Sequence, residues 1–187
     1  VRAHLIRAAD GLTDAWKQHA TRDWAWFEDR LTYDNALLPY ALLRAGRILD
    51  VPEYRRIGLT ALEFLAGATF RDGVFWPIGN DGWYVRGGRR AEFDQQPLEA
   101  TAMVLACQEA GAVTGDKVWH GMALDAARWF TGRNALGVPL LDPETGGCHD
   151  GLNPHGVNRN QGAESTLAWL MVAYGLEQRS ALSTAVR

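Results

Sequence analysis

A helix that is apolar on every side has to be enclosed on every side, and this chain carries three stretches of that kind. Ala100 to Cys107 and Leu167 to Tyr174 are apolar nearly all round for two turns, and a third stretch, with Leu37, Leu38, Ala41, Leu42, Leu43 and Ile48, reads the same way. Between them lie amphipathic segments whose polar faces hold residues such as Arg55, Arg56, Lys117 and Arg128. Apolar residues recurring at spacings of three and four predict six helices and almost nothing else. These run from about Ala3 to His19, from near Asp34, from Asp50, from Pro97, from Asp116, and from about Gln161 to Glu177. Asp50 reads as an N-cap, with Pro52 in the first turn and Glu53 at the capping-box position. Pro39 and Pro97 also fall in first turns, where the backbone N–H has no intrahelical acceptor. Half-wet and enclosed helices in alternation predict an all-α fold of two layers, with inner and outer helices antiparallel in three helical hairpins.

An internal repeat points the same way. The enclosed helices open on Asp34-Asn35-Ala36-Leu37, on Asp94-Gln95-Gln96-Pro97-Leu98-Glu99, and on Asn160-Gln161-Gly162-Ala163-Glu164. Starts at Asp34, Asp94 and Asn160 lie 60 and 66 residues apart, a period of helical repeat arrays and toroids. Turns from an enclosed helix to the next outer one are short, at Gly46–Val51 and Gly111–Asp116, whereas Thr21–Tyr33, Thr69–Phe93 and Arg133–Arg159 are long. Long loops inside a compact domain are usually functional. All three fall at the N-terminal end of the enclosed helices, which is therefore the expected site.

Composition narrows the function. A net charge of −3 gives none of the basic surface that nucleic-acid binders carry. No apolar run reaches the roughly 18 residues of a bilayer span, so neither nucleic acid nor membrane is an expected partner. At 187 residues the chain fits one domain, residues 1–187. Cys107 reads as a buried thiol and Cys148 sits in a Gly-rich loop, with no metal-ligand spacing between them. No basic-then-apolar leader follows Val1, and the start reads as cut from a longer chain; the expected location is cytoplasmic.

Eight Trp, five Tyr and six Phe are more aromatics than a small core needs. Trp24, Trp26, Trp76 and Trp83 fall in the long loops, among Tyr33 and a run of carboxylates and amides. Aromatic faces beside fixed carboxylates and amides suit a sugar, with ring C–H faces to stack and hydroxyls to bond; alternatively the Trp side chains roof the ends of the helices. The expected sugar-binding residues are Trp26, Tyr33, Asn35, Trp76, Trp83, Gln95, Gln96, Glu99, Asp150, Asn160 and Gln161, and Trp26, Tyr33, Trp76, Trp83, Asp94, Gln95, Asn160 and Glu164 are expected to line one concavity.

The strings Trp26-Phe27-Glu28 with Leu31-Thr32-Tyr33-Asp34-Asn35-Ala36, Phe93-Asp94-Gln95-Gln96-Pro97-Leu98-Glu99-Ala100, and Asn160-Gln161-Gly162-Ala163-Glu164-Ser165-Thr166-Leu167 resemble the α-helical toroid region attached to bacterial glycosyltransferases. More distantly they resemble the six-hairpin, (α/α)6 glycosidases. The resemblance spans about Trp24 to Tyr174 and implies an α/α toroid. With three hairpins the chain is expected to make half an (α/α)6 ring: a piece of a longer chain, one half of a homodimer whose second copy closes the ring, or a half array that suffices by itself.

Glycoside hydrolysis needs two carboxyls, one protonated as general acid and one ionised as base or nucleophile. The expected catalytic residues are Glu28, Asp34, Asp94 and Glu164, with Glu99 beside them. Asp34 and Asp94, at helix N-termini, read as bases because the helix dipole lowers a carboxylate pKa. Glu28, beside Trp26 and Phe27, reads as the acid because an apolar wall raises one. Capping alone also accounts for Asp34 and Asp94. No metal and no cofactor is expected: His149, Asp150 and His155 match no ligand spacing, and the turn residues around them account for that segment. Arg86, Arg89 and Arg90 are candidates for a phosphorylated or carboxylated sugar. The expected function is a carbohydrate-active domain that binds an oligosaccharide and acts on a glycosidic bond with paired carboxylates. The alternative is a non-catalytic carbohydrate-binding or scaffolding domain that partners a glycosyltransferase. A third class, docking of a protein or lipid-linked chain on an exposed edge, is opposed by the polar outer faces.

Overall fold

The computed structural model describes residues 1–185, with side chains as far as Leu176. Among the described residues there are six α-helices: α1 (Arg2–His19), α2 (Leu37–Leu49), α3 (Pro52–Thr69), α4 (Pro97–Thr114), α5 (Val118–Arg128) and α6 (Ala163–Ala185). The long connections also hold three antiparallel two-stranded ribbons that apolar periodicity did not predict. These pair β1 (Arg30–Leu31) with β4 (Tyr84–Val85), β2 (Phe70–Arg71) with β3 (Val74–Phe75), and β5 (Gly151–Asn153) with β6 (Gly156–Asn158).

Two helix starts differ from expectation for one reason. Asp34 and Asp50 both have left-handed backbones (φ 53° and 56°), which a short carboxylate side chain tolerates better than most. Asp34 therefore stands three residues ahead of α2 instead of capping it. Asp50 ends α2 instead of starting α3, whose N-cap is Val51. Asp94 is likewise left-handed, and the N-cap of α4 is Gln96.

The inner helices form a row in the order α2, α4, α6. The Asp34 N–H meets Glu99 at one end of the α2–α4 pair, and Arg44 and Arg47 meet Glu109 at the other. Two contacts that far apart along both helices make α2 and α4 parallel. Thr101 Oγ1 donates to the Ala168 carbonyl at 2.9 Å and Gly175 approaches Gln108, which sets α6 parallel to α4. Helix α3 packs on α2 and α5 on α4 as tight hairpins, with α1 against α2 and α3.

Only α4 is enclosed as expected. Its residues from Ala100 to Val104, with Ala106 and Cys107, are buried. At the ends of the row α2 and α6 have neighbours on one side only, so Leu37, Ile48, Leu167, Leu170, Met171 and Tyr174 are exposed. Leu42 and Leu43 of α2 are fully buried. No helix among the described residues is long and apolar enough to cross a membrane.

The long connections fold over the N-terminal ends of the row as an aromatic roof. Trp26 stacks edge-on to Phe27 at 5.2 Å, and Trp24 to Phe64 and Tyr84 at 5.0 and 5.2 Å. Arg90 ties the roof down by donating to the carbonyls of Ala68, Trp76 and Pro77 and pairs with Glu92 at 3.6 Å, so its guanidinium is committed to the fold. Gln95 and Leu152 exchange backbone hydrogen bonds of 3.0 and 2.9 Å, joining the second and third connections. Gly79 lies so close to Phe93 that a Cβ would strike the Phe93 carbonyl. Replacing Gly79 by Ala should therefore overpack the roof and lower stability by about 1–3 kcal/mol. Gly67→Ala, in α3 with open space around it, should raise stability by about 0.5–1 kcal/mol. Urea unfolding of the two variants checks the contrast; equal shifts would contradict this packing.

Candidate functional site

Three carboxylates gather at the head of the row: Asp34 before α2, Glu99 in the first turn of α4 and Glu164 in the first turn of α6, each 65 residues from the last. Asp34, Asp94 and Asn160 keep their expected equivalence along the chain, each three residues ahead of its helix, but they do not come together in space. A constant 65-residue spacing of carboxylates was the signal available in the sequence for the group that does.

Local chemistry places each one. Asn35, itself buried, closes the preceding turn: its Oδ1 accepts the Thr32 N–H at 2.9 Å and its Nδ2 donates to the Thr32 carbonyl at 3.2 Å. That turn lays the Asp34 N–H on Glu99 Oε1, and Asn35 Nδ2 reaches Glu99 Oε2 at 3.4 Å. Glu99 is only 6% exposed, and burial pushes its pKa up to about 8, against the opposing pull of these hydrogen bonds. Asp34 is raised to about 6, by burial first and then by the charge of Glu164. The expected lowering of Asp34 by a helix dipole therefore fails: the side chain stands outside the helix, and loss of water outweighs any dipole.

Below the carboxylates a cavity of about 230 Å³ runs between the inner helices. Leu37 comes from α2, Leu98, Ala102 and Leu105 from α4, and Leu167 and Met171 from α6; apart from Asp34, Thr101 and Glu164 the lining is apolar. A second hollow of about 280 Å³ adjoins it, sharing Asp34 and Leu37 and rimmed by Glu28, Thr32, Tyr33 and Asn35.

The other expected residues divide among separate places, so the single concavity is not formed. Asp94, Gln96 and Asp150 line a third hollow of about 140 Å³, apart from Asp34. Asp94 is exposed there and has no second carboxylate of the Asp34 group beside it. Gln95 is fully buried, accepting from Trp129 Nε1 at 3.0 Å and donating to the Glu92 carbonyl at 2.8 Å, so it is a roof strut rather than a ligand. Asp150 accepts from the Gly162 N–H, Ser165 Oγ and Asn160 Nδ2. Although burial opposes them, these bonds hold its pKa below the usual carboxylate range, and the cluster anchors the start of α6. Gln161 is engaged with Asp142 and Thr145.

Trp76 donates to the Glu92 carbonyl at 3.3 Å and faces the Arg71 guanidinium. Trp83 sits in a left-handed turn closed on Gly79. Neither reaches the carboxylates. Trp26 is 1% exposed, so its face is covered by Phe27 and Phe64 and it cannot serve as a sugar platform. Glu28 is exposed, without the apolar wall that the sequence predicted for an acid. No group of three or more His, Cys, Asp or Glu side chains among the described residues is placed to hold a metal. Neither a family model nor a curated protein matches the chain.

The raised pKa of Glu99 has a measurable sign. Below its ordinary 4.5 the carboxyl is protonated in folded and unfolded chains alike; between 4.5 and about 8 only the folded chain keeps the proton. Stability contributed by that proton is thus present at low pH and lost as pH rises toward 8, and Asp34 acts the same way between 3.8 and about 6. Glu99→Gln should therefore gain stability over the native chain progressively from pH 4.5 to 8. Urea midpoints across that range check this, and curves that stay parallel would refute it.

Proposed function

We propose that this chain is a carbohydrate-active α/α-toroid domain, half of an (α/α)6 ring, that acts on a glycosidic bond with Asp34 and Glu164. The observation that carries the reading is the pairing of two carboxylates in unlike surroundings at one cavity. Asp34 has a pKa of about 6, which keeps part of it protonated near neutrality. Glu164 is exposed on α6 and lines the same cavity. A glycosidase needs one carboxyl of each kind. Asp34 donates a proton to the glycosidic oxygen as the C1–O bond breaks, and Glu164 takes a proton from the water that attacks C1. Glu99 keeps its own proton and, through the Asp34 N–H, holds the acid in place.

The bare sides of α2 and α6 support the half-ring. Ile48, Leu170 and Tyr174 are exposed and do not line the cavity. Each is the kind of side chain worth about 1.5–3 kcal/mol when buried, and a second copy that closes the ring would cover them. A non-catalytic carbohydrate-binding or scaffolding role beside a glycosyltransferase is the second reading, favoured by Tyr33, an aromatic side chain that stands 60% exposed at the second hollow.

Reducing-sugar release from a panel of α- and β-glycosides distinguishes the two. Asp34→Asn and Glu164→Gln should each lose about 10²–10⁴ in rate with the helical circular dichroism unchanged. A native chain that binds sugars but cleaves none would favour the second reading. Light scattering should show a dimer at micromolar concentration; a cooperative 20.7 kDa monomer would contradict ring closure by a second copy.

A further inference from the structure

The two hollows that meet at Asp34 differ in kind. One holds groups that can bond hydroxyls, Glu28, Thr32 and Tyr33, beside Trp26 and Leu38. The other, between the inner helices, is floored by Leu98, Leu105, Leu167 and Met171. Thr101 offers that floor no donor, because its one hydroxyl proton is committed to a backbone carbonyl, that of Ala168 at 2.9 Å. A second sugar unit laid on this floor would bury hydroxyls without partners, which is unfavourable, and would find no aromatic face to stack on. A hydrocarbon chain has the opposite preference: Leu37, Leu167 and Met171 stand 38%, 57% and 51% exposed, and an apolar occupant would take them out of water. Asp34 and Leu37 are the residues common to both hollows, so the boundary between sugar-like and hydrocarbon-like surroundings falls at the carboxyl assigned as the acid.

We infer that the substrate of this site is an amphiphilic glycoside, with its sugar in the Tyr33 hollow, its hydrocarbon aglycone in the trough between α2, α4 and α6, and its glycosidic oxygen at Asp34. The inference rests on the glycosidase reading above and names the substrate class for it. The reaction balances without a co-reactant other than water. The bond between C1 and the aglycone oxygen breaks, the Asp34 proton goes to that oxygen and the alcohol leaves. A water oxygen bonds to C1 and gives up its proton to Glu164, and exchange with solvent restores both carboxyls.

Chain length is the variable to change. Methyl, butyl, hexyl and octyl glycosides of glucose, mannose and galactose, in both anomers and below micelle formation, are titrated calorimetrically into the full chain. Octyl sulfobetaine serves as a control that has the tail without the sugar. For the preferred sugar, affinity should rise about fourfold per methylene, the equilibrium equivalent of about 0.8 kcal/mol for each buried CH2, until the trough is full. Leu167→Gln and Met171→Gln, both at exposed positions that folding tolerates, should flatten that rise. Affinity that is independent of chain length, with the methyl glycoside still bound and cleaved, would overturn the inference and leave the glycosidase reading standing. Octyl sulfobetaine binding as tightly as every octyl glycoside would overturn both. A dimer that excludes the octyl glycosides would show that a second copy fills the trough, and would overturn the inference as well.

Discussion

A carboxyl taken out of water must either meet a cation or keep its proton, and this helical row uses both solutions on the same pair of helices. At the far end of α4, Glu109 is buried between Arg44 and Arg47 of α2. Burial alone would raise its pKa, but the two guanidinium groups hold it below the usual range. At the near end Glu99 is just as buried, and its hydrogen bonds come from the Asp34 N–H and the Asn35 amide, so it keeps its proton to about pH 8. The first arrangement fixes the register of α2 on α4 with full charges. The second fixes it with a neutral group and leaves negative charge at the head of the row to Asp34 and Glu164.

The consequences run through the molecule. Because Glu99 holds the Asp34 backbone, the turn before α2 cannot relax into the helix, and Asp34 remains left-handed at the mouth of the cavity. Because α4 lies between α2 and α6 with all three parallel, the first turn of α6 comes beside the turn before α2, and Glu164 lines the same cavity as Asp34. The aromatic roof closes over the rest. Its tryptophans supply rigidity and exclude water from the ends of α2 and α4, so it sustains the low-polarity surroundings that raise both carboxyls.

The sequence showed the helices well because periodicity is a local signal: all six appear near their expected places, and α4 is enclosed as its all-round apolar character requires. It misled on which residues meet. Asp34, Asp94 and Asn160 do hold one place along the chain, each three residues ahead of its helix, but the carboxylates that meet Asp34 across the row are Glu99 and Glu164. It also misled on exposure, since nothing local distinguishes a loop tryptophan that stacks on a sugar from one such as Trp26 that packs on Phe27 and Phe64. The direction of the Asp34 shift was illegible for a similar reason: burial and the charge of Glu164 come from residues 65 and 130 positions away along the chain.

Carbon-13 titration of the side-chain carboxyls by NMR tests these linked protonation states directly. Glu99 should titrate near 8 and Asp34 near 6, and Glu164→Gln should lower the Asp34 value by removing the neighbouring charge. Titration of both groups near 4, or an Asp34 value indifferent to Glu164, would contradict the convergence of three carboxyls at the head of the helical row.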